Sequence, residues 1–251
     1  MKLDSYELTD DGRVRQNNED AVGKCEPNGE KEQAAKGSLF IVADGMGGHR
    51  GGEIASRLAV ETVISTYYAS EGADTIESLR KSYTKANDVI HRKSIEDVEL
   101  FGMGTTCTTM VLKPGEAFFA HVGDSRAYVL RDDKLIQLTE DHSLVGEMVR
   151  SGIISDEDAQ NHPKRNVITR SLGTQEELAT DFPSSPYELA SGDVFLLCSD
   201  GLTTMVTNEE AKGILKTNSP QKACKALIDL ANKKGGKDNI TVQVVKIENA
   251  L

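Results

Sequence analysis

No tryptophan occurs in the 251 residues, and aromatics reach only 5%. The core must therefore be aliphatic, and at 38% hydrophobic residues a chain of this length can still bury enough of it. No apolar run approaches the roughly 18 residues of a membrane-spanning helix. The first residues, Met1-Lys2-Leu3-Asp4-Ser5-Tyr6-Glu7, lack the apolar stretch of a secretion signal. Four cysteines (Cys25, Cys107, Cys198, Cys224) form no CxxC pair and flank apolar stretches. Reduced thiols in a cytoplasmic protein are expected. Basic residues are in deficit, Lys+Arg 29 against Asp+Glu 40, a net charge of −11. That balance argues against broad binding to nucleic acid or anionic membranes. No Gly-Lys-Ser/Thr, no G-x-G-x-x-G and no HExxH occurs, so neither a nucleotide loop nor a zinc site is indicated. There is no internal repeat and no long Pro- or Ser-rich linker.

What is present is organised by period. Residues 51–69 and 76–95 carry apolar side chains at helical spacing. Short strand-like runs follow at 105–112, 117–122, 126–131 and 134–138, separated by turn residues such as Pro114-Gly115 and Asp132-Asp133. This spacing favours antiparallel meanders. Strands are further predicted at 39–43, 177–182, 194–198 and 240–247, with a loop at 26–37 and helices at 208–215 and 220–233. Segment 142–173 breaks the pattern, with short helices predicted at 143–151 and 156–161, and reads as a flap. Strand runs interleaved with helix pairs indicate an α+β layered fold.

Three strands run straight into an aspartate at a turn: Phe40-Ile41-Val42-Ala43-Asp44-Gly45, Ala120-His121-Val122-Gly123-Asp124 and Leu196-Leu197-Cys198-Ser199-Asp200-Gly201. A fourth, Asp238, precedes the last strand in Gly235-Gly236-Lys237-Asp238-Asn239. A carboxylate at the mouth of an apolar core is costly unless a positive charge meets it. Asp and Gly are also ordinary turn residues. Four together suggest an oxygen-ligand site for Mg²⁺ or Mn²⁺. Arg15, just before Glu19-Asp20, offers a fork for phosphate oxygens, or is a solvated turn residue. The glycines of Asp44-Gly45-Met46-Gly47-Gly48-His49 open a helix, and the Gly45 carbonyl is a candidate ligand.

Arg15 with Asn17-Asn18-Glu19-Asp20, Ala43-Asp44-Gly45-Met46-Gly47-Gly48, Gly102-Met103-Gly104-Thr105-Thr106, His121-Val122-Gly123-Asp124-Ser125-Arg126, Asn166-Val167-Ile168-Thr169-Arg170-Ser171-Leu172-Gly173, Cys198-Ser199-Asp200-Gly201 and Lys237-Asp238-Asn239 occur in an order and spacing that closely resembles the bacterial type 2C metal-dependent serine/threonine protein phosphatases. The resemblance spans about residues 4–247. It implies a four-layer α-β-β-α sandwich of two antiparallel sheets flanked by helix pairs, one domain over 1–251, with a mobile flap at 142–173.

It further implies two to three Mn²⁺ or Mg²⁺ ions. Asp44 would bridge two of them, the Gly45 carbonyl would ligate the second, and Asp200 and Asp238 would complete the first. Asp124 would serve a third with Asp200. Glu19 and Asp20 would hold waters around the ions, and Arg15 would grip the substrate phosphate. The implied reaction is hydrolysis of phosphoserine and phosphothreonine by a metal-activated water, with no phosphoenzyme. Ser125, Ser171 and Ser199 lack a Gly-x-Ser-x-Gly elbow and are not nucleophile candidates. Better-known eukaryotic members carry a histidine acid where Met46 stands. A thioether has no proton to give, and His49 lies three residues on, which leaves a metal-bound water as the favoured acid. The implied partners are phosphoproteins and a cognate bacterial Ser/Thr kinase, met by a cytoplasmic monomer. Two rivals are a non-catalytic regulator on the same fold, which would be expected to lack a ligand aspartate, and a phosphoesterase acting on small metabolites.

Overall fold

The computed structural model describes residues 1–47, 51–71, 74–155, 158–159, 162–183 and 185–250. One sheet has the order β1 (Lys2–Asp10), β11 (Ile240–Asn249), β10 (Val194–Cys198), β7 (Arg126–Arg131), β8 (Lys134–Gln137). The other has β2 (Asp20–Cys25), β3 (Ser38–Met46), β5 (Cys107–Lys113), β6 (Glu116–Val122), β9 (Tyr187–Glu188), with the short β4 (Gly104–Thr105) paired to the end of β3. Every pairing is antiparallel.

Period-two alternation divides the apolar residues into three layers. Along β3, Leu39, Ile41 and Ala43 face the long helices α2 (Gly51–Ala69) and α3 (Thr75–Glu96), meeting Ala55, Val63, Leu79 and Ile90. Phe40 and Val42 point the other way and meet Val129, Phe195, Leu197 and Val245 between the sheets. On the far side, Leu196, Cys198, Val242 and Val244 lie under α6 (Asn208–Thr217) and α7 (Pro220–Lys233). Each fully buried aliphatic side chain contributes about 1.5–3 kcal/mol. The result is the four-layer order helices, sheet, sheet, helices. Local signals agree with it: Asp74 caps α3 by accepting from Glu77 N at 2.7 Å. Thr207 and Glu210 form a reciprocal capping box on α6.

Short elements apart, three regions differ from the sequence reading. Residues 30–36, expected as loop, form the short helix α1 (Glu30–Lys36), stopped by Gly37 at φ +74°. Its run of good helix formers outweighs its weak periodicity. Strand β1 escaped notice because its apolar residues divide between faces: Leu3 lies between the sheets, Tyr6 and Leu8 under α7. The strand predicted at 177–182 contributes only a bridge between Asp181 and His121. In the flap segment, α4 (Leu144–Arg150) occupies the first predicted helix, capped by Ser143. The second, 156–161, falls largely outside the described residues.

Candidate metal centre

Antiparallel pairing gathers the aspartates. Asp20 opens β2 and is paired in register with Asp44, two residues before the end of β3. Asp200 opens α5 (Asp200–Thr203) directly after β10, and Asp238 precedes β11, the partner of β10. Asp124 sits in the turn between β6 and β7. All five therefore stand at one end of the sandwich. Glycines let the backbones close up there. A Cβ on Gly201 would lie 1.9 Å from Asn239 O, and one on Gly45 would lie 2.1 Å from Gly52 O.

The charges interact. Burial, and then the charges of Asp20, Asp200, Asp124 and Asp238, hold the Asp44 carboxyl well above the usual range. Burial, then Asp200, does the same to Asp124. Asp20 and Asp200 are also raised, mainly by burial. The Asp44 carboxyl is placed to donate to that of Asp200, which holds the Asp200 rise down. Burial raises Glu19 too, opposed by Arg15. Arg15 itself is exposed, and its Nη2 donates to Asp238 Oδ2 at 2.8 Å.

Among the described residues, no three His, Cys, Asp or Glu side chains already enclose a point where an ion would sit. Like-charged carboxylates do not close on empty space, and Arg15 already engages Asp238. Two buried oxygens, Asp20 Oδ1 and Asp124 Oδ1, accept no hydrogen bond from the described residues. Orphaned buried carboxylate oxygens, like charges in register and an oxygen-only donor set fit a hard divalent cation that keeps some of its waters.

Further residues support those that sequence motifs singled out for chemistry. Asp44 is clamped through its backbone: its N–H donates to Thr106 Oγ1 at 2.9 Å, and its carbonyl accepts from Thr105 Oγ1 at 2.9 Å. Ser199 Oγ donates to Asp20 Oδ2 at 2.7 Å. Asn239 ties down the Arg15 loop, donating to Asn17 O at 2.9 Å and accepting from Glu19 N at 2.9 Å. Next to Asp124, Gly123 N donates to His142 Nδ1 at 3.1 Å, which makes that imidazole neutral, and His142 Nε2 donates to Asp181 Oδ2 at 2.8 Å. Polar residues without partners inside apolar runs were the available signal for Thr106 and Ser199. Nothing local marked Asn239 or His142. Arg170 meets Asp181 at 3.2 Å. Met46 ends β3 opposite Gly104. His49 lies outside the described residues.

Comparison with known proteins adds an independent finding. The family model for protein phosphatase 2C matches residues 12–230. A serine/threonine phosphatase, Stp, of Listeria innocua is 42% identical over 243 residues, 95% of this chain and 93% of that protein. The crystal structure of Stp1 from Staphylococcus aureus superposes with a TM-score of 0.89 at 32% identity, covering 99% of this chain and 96% of that one. A structure of the PstP catalytic domain in complex with two manganese ions superposes with a TM-score of 0.84 at 33% identity, covering 98% and 99%. Fold and relatives together define a protein phosphatase of the serine/threonine class. The chain belongs to the protein phosphatase 2C family.

Proposed function

We propose that this cleft hydrolyses phosphoserine and phosphothreonine esters of proteins with the help of two to three divalent ions, Mn²⁺ or Mg²⁺, and without a phosphoenzyme. The observation that carries the reading is the convergence of Asp20, Asp44, Asp124, Asp200 and Asp238 at one end of the sandwich, close enough to shift one another's protonation, beside Arg15. The manganese-bound PstP relative supports the choice of ion.

Asp44 and the Gly45 carbonyl, with Asp200 and Asp238, would hold two ions, and Asp124 with Asp200 a third. When bound, such ions acidify water and neutralise charge on a phosphoryl group. The remaining chemistry belongs to the chain. Arg15 offers its planar fork to two phosphate oxygens, leaving Asp238 as it does so. Glu19 and Asp20 accept hydrogen bonds from water in the cleft. Thr105 and Thr106 keep Asp44 from drifting. Candidate nucleophiles are engaged or inert. The Ser199 hydroxyl is given to Asp20, Ser125 and Thr106 share a 2.7 Å hydrogen bond, and burial pushes the Cys198 thiol up to about 12. Water is then the attacking group. Met46 has no proton to give, so water also protonates the leaving oxygen. We further propose one domain over 1–251 with 142–173 as its flap, acting as a cytoplasmic monomer on phosphoproteins made by a cognate Ser/Thr kinase.

The test is turnover of a phosphothreonine peptide by chelated protein before and after Mn²⁺ is restored, beside a nucleotide and sugar-phosphate panel. Metal-dependent peptide turnover is expected. Equal activity in chelator, or activity on the small phosphates alone, defeats the reading.

A further inference from the structure

Resting on the phosphatase reading above, we propose that the exposed apolar turn at residues 95–101 is a docking surface for the phosphoprotein substrate, and that it takes a segment carrying apolar and basic side chains.

Val98 is 87% exposed, Phe101 81% and Ile95 64%. The other exposed large apolar side chains among the described residues (Val14, Ile136, Ile153, Val167) are scattered along the chain. Here three fall within seven residues. The turn is no frayed end. A 3-10 helix spans Val98–Leu100, capped by Asp97, which accepts from Glu99 N at 3.0 Å. Leu100 is buried and anchors the turn in the core under α3. Spacing of three on a 3-10 path eclipses Val98 and Phe101. A fixed turn that holds two large apolar groups in water marks an interaction site.

Its charge chooses the partner. Glu96, Asp97 and Glu99 are exposed around these side chains, and no basic residue lies between 95 and 101. The nearest cations along the sequence, Arg92 and Lys93, stand near the C-terminal end of α3. An apolar segment that also carries Lys or Arg matches this surface.

Its position chooses the substrate. From Phe101 the chain runs through Gly102-Met103-Gly104 to Thr105 and Thr106, which hold Asp44. Four Cα–Cα steps cover at most about 14 Å. Met103 packs against Gly51, where a Cβ would lie 3.0 Å away, and Thr105 bridges Leu172 in the flap segment. The patch thus lies within about 14 Å of chain from the residues that clamp Asp44 and bridge to the flap segment. A substrate strand with its phosphoresidue in the cleft would reach the patch about four to six residues along.

Three probes test this on the whole protein with Mn²⁺: p-nitrophenyl phosphate, a phosphothreonine peptide with Gly/Ser flanks, and peptides bearing a Leu-Arg-Leu-Lys segment about five residues to either side of the phosphothreonine. The native protein should turn over one Leu/Arg peptide with kcat/KM about tenfold above the Gly/Ser peptide, through a lower KM. Phe101→Ser and Val98→Ser should each erase that preference and leave p-nitrophenyl phosphate turnover unchanged. Glu96→Lys with Glu99→Lys should move the preference to a Leu-Glu-Leu-Glu segment. Equal kcat/KM for all peptides in the native protein overturns the proposal. So does a loss in Phe101→Ser that is the same for every substrate, or sedimentation showing that copies associate through Phe101. Absence of p-nitrophenyl phosphate turnover by the native protein would instead strike the catalytic reading itself, and the docking proposal would fall with it.

Discussion

Replacing Asp44 by Asn should stabilise the metal-free protein while abolishing its activity. Asp44 and Asp20 are paired residues on β3 and β2. Paired side chains on one face stand about 5 Å apart at Cβ. Two unit charges at that distance repel by about 3 kcal/mol at an effective dielectric near 20, and by under about 1 kcal/mol in water. Protonating Asp44 relieves the repulsion, but at pH 7 that costs at most about 4 kcal/mol. For half-buried groups at the mouth of a cleft, a gain of about 1–2 kcal/mol is expected. In a chain of this size it raises Tm by roughly 2–8 °C. Asn keeps the shape and can still donate to Asp200. The sign with pH is fixed. Asp44 has a raised folded pKa, so its penalty is absent below the unfolded value near 4 and grows as pH rises. Thermal melts at pH 7 in EDTA should show the variant above the native protein, and the difference should vanish near pH 4. With Mn²⁺ the native protein should gain several degrees and the variant almost none. A variant that melts lower than the native protein in EDTA, yet gains as much from Mn²⁺, would refute the idea that these carboxylates are held in mutual repulsion for a cation.

Arg15→Ala should raise the KM for a phosphothreonine peptide about 10- to 100-fold, the worth of a charge-assisted contact, while Mn²⁺ affinity by calorimetry stays equal or improves because Asp238 loses a competitor. A collapse in Mn²⁺ affinity would show Arg15 to be misassigned. Thr106→Val removes the acceptor for Asp44 N and should weaken Mn²⁺ binding about tenfold; unchanged binding would discount the clamp. Burial, and then His142, lower the His121 pKa to about 4. Its unfolded value is near 6.5, so the stability tied to neutral His121 is intact above pH 6.5 and declines by about 3 kcal/mol as pH falls toward 4. Urea melts of native protein and His121→Gln across pH 4–7 should differ in slope over that window, and parallel curves would remove His121 from the acid response.

Much of the fold was legible because its strands obey simple alternation and its helices carry strong periodicity. Residues 39–43 read as strand because both faces of β3 are covered, and 220–233 read as helix because one face alone is apolar. Edges were harder. Strand β1 divides its apolar residues between two layers, and β9 is two residues long directly after Pro186, so neither offers a pattern to count. The site divided the same way. Asp44, Asp124, Asp200 and Asp238 could be picked out because each stands at the boundary of an apolar strand beside a glycine turn. Their arrangement could not be read, since strand order decides which ends meet. Asn239 and His142 act through hydrogen bonds to backbone more than a hundred and about twenty residues away respectively. Such partners exist only once the two sheets are stacked.

On the proposed function, this carboxylate cleft holds ions that make water attack a phosphoester. Titrating Mn²⁺ into chelated protein while recording both heat of binding and phosphothreonine-peptide turnover tests it most directly. At least two ions should bind, turnover should rise with their occupancy, and both signals should disappear in Asp44→Asn and Asp238→Ala. Turnover that is full before any ion binds, or that survives in either variant, would contradict it.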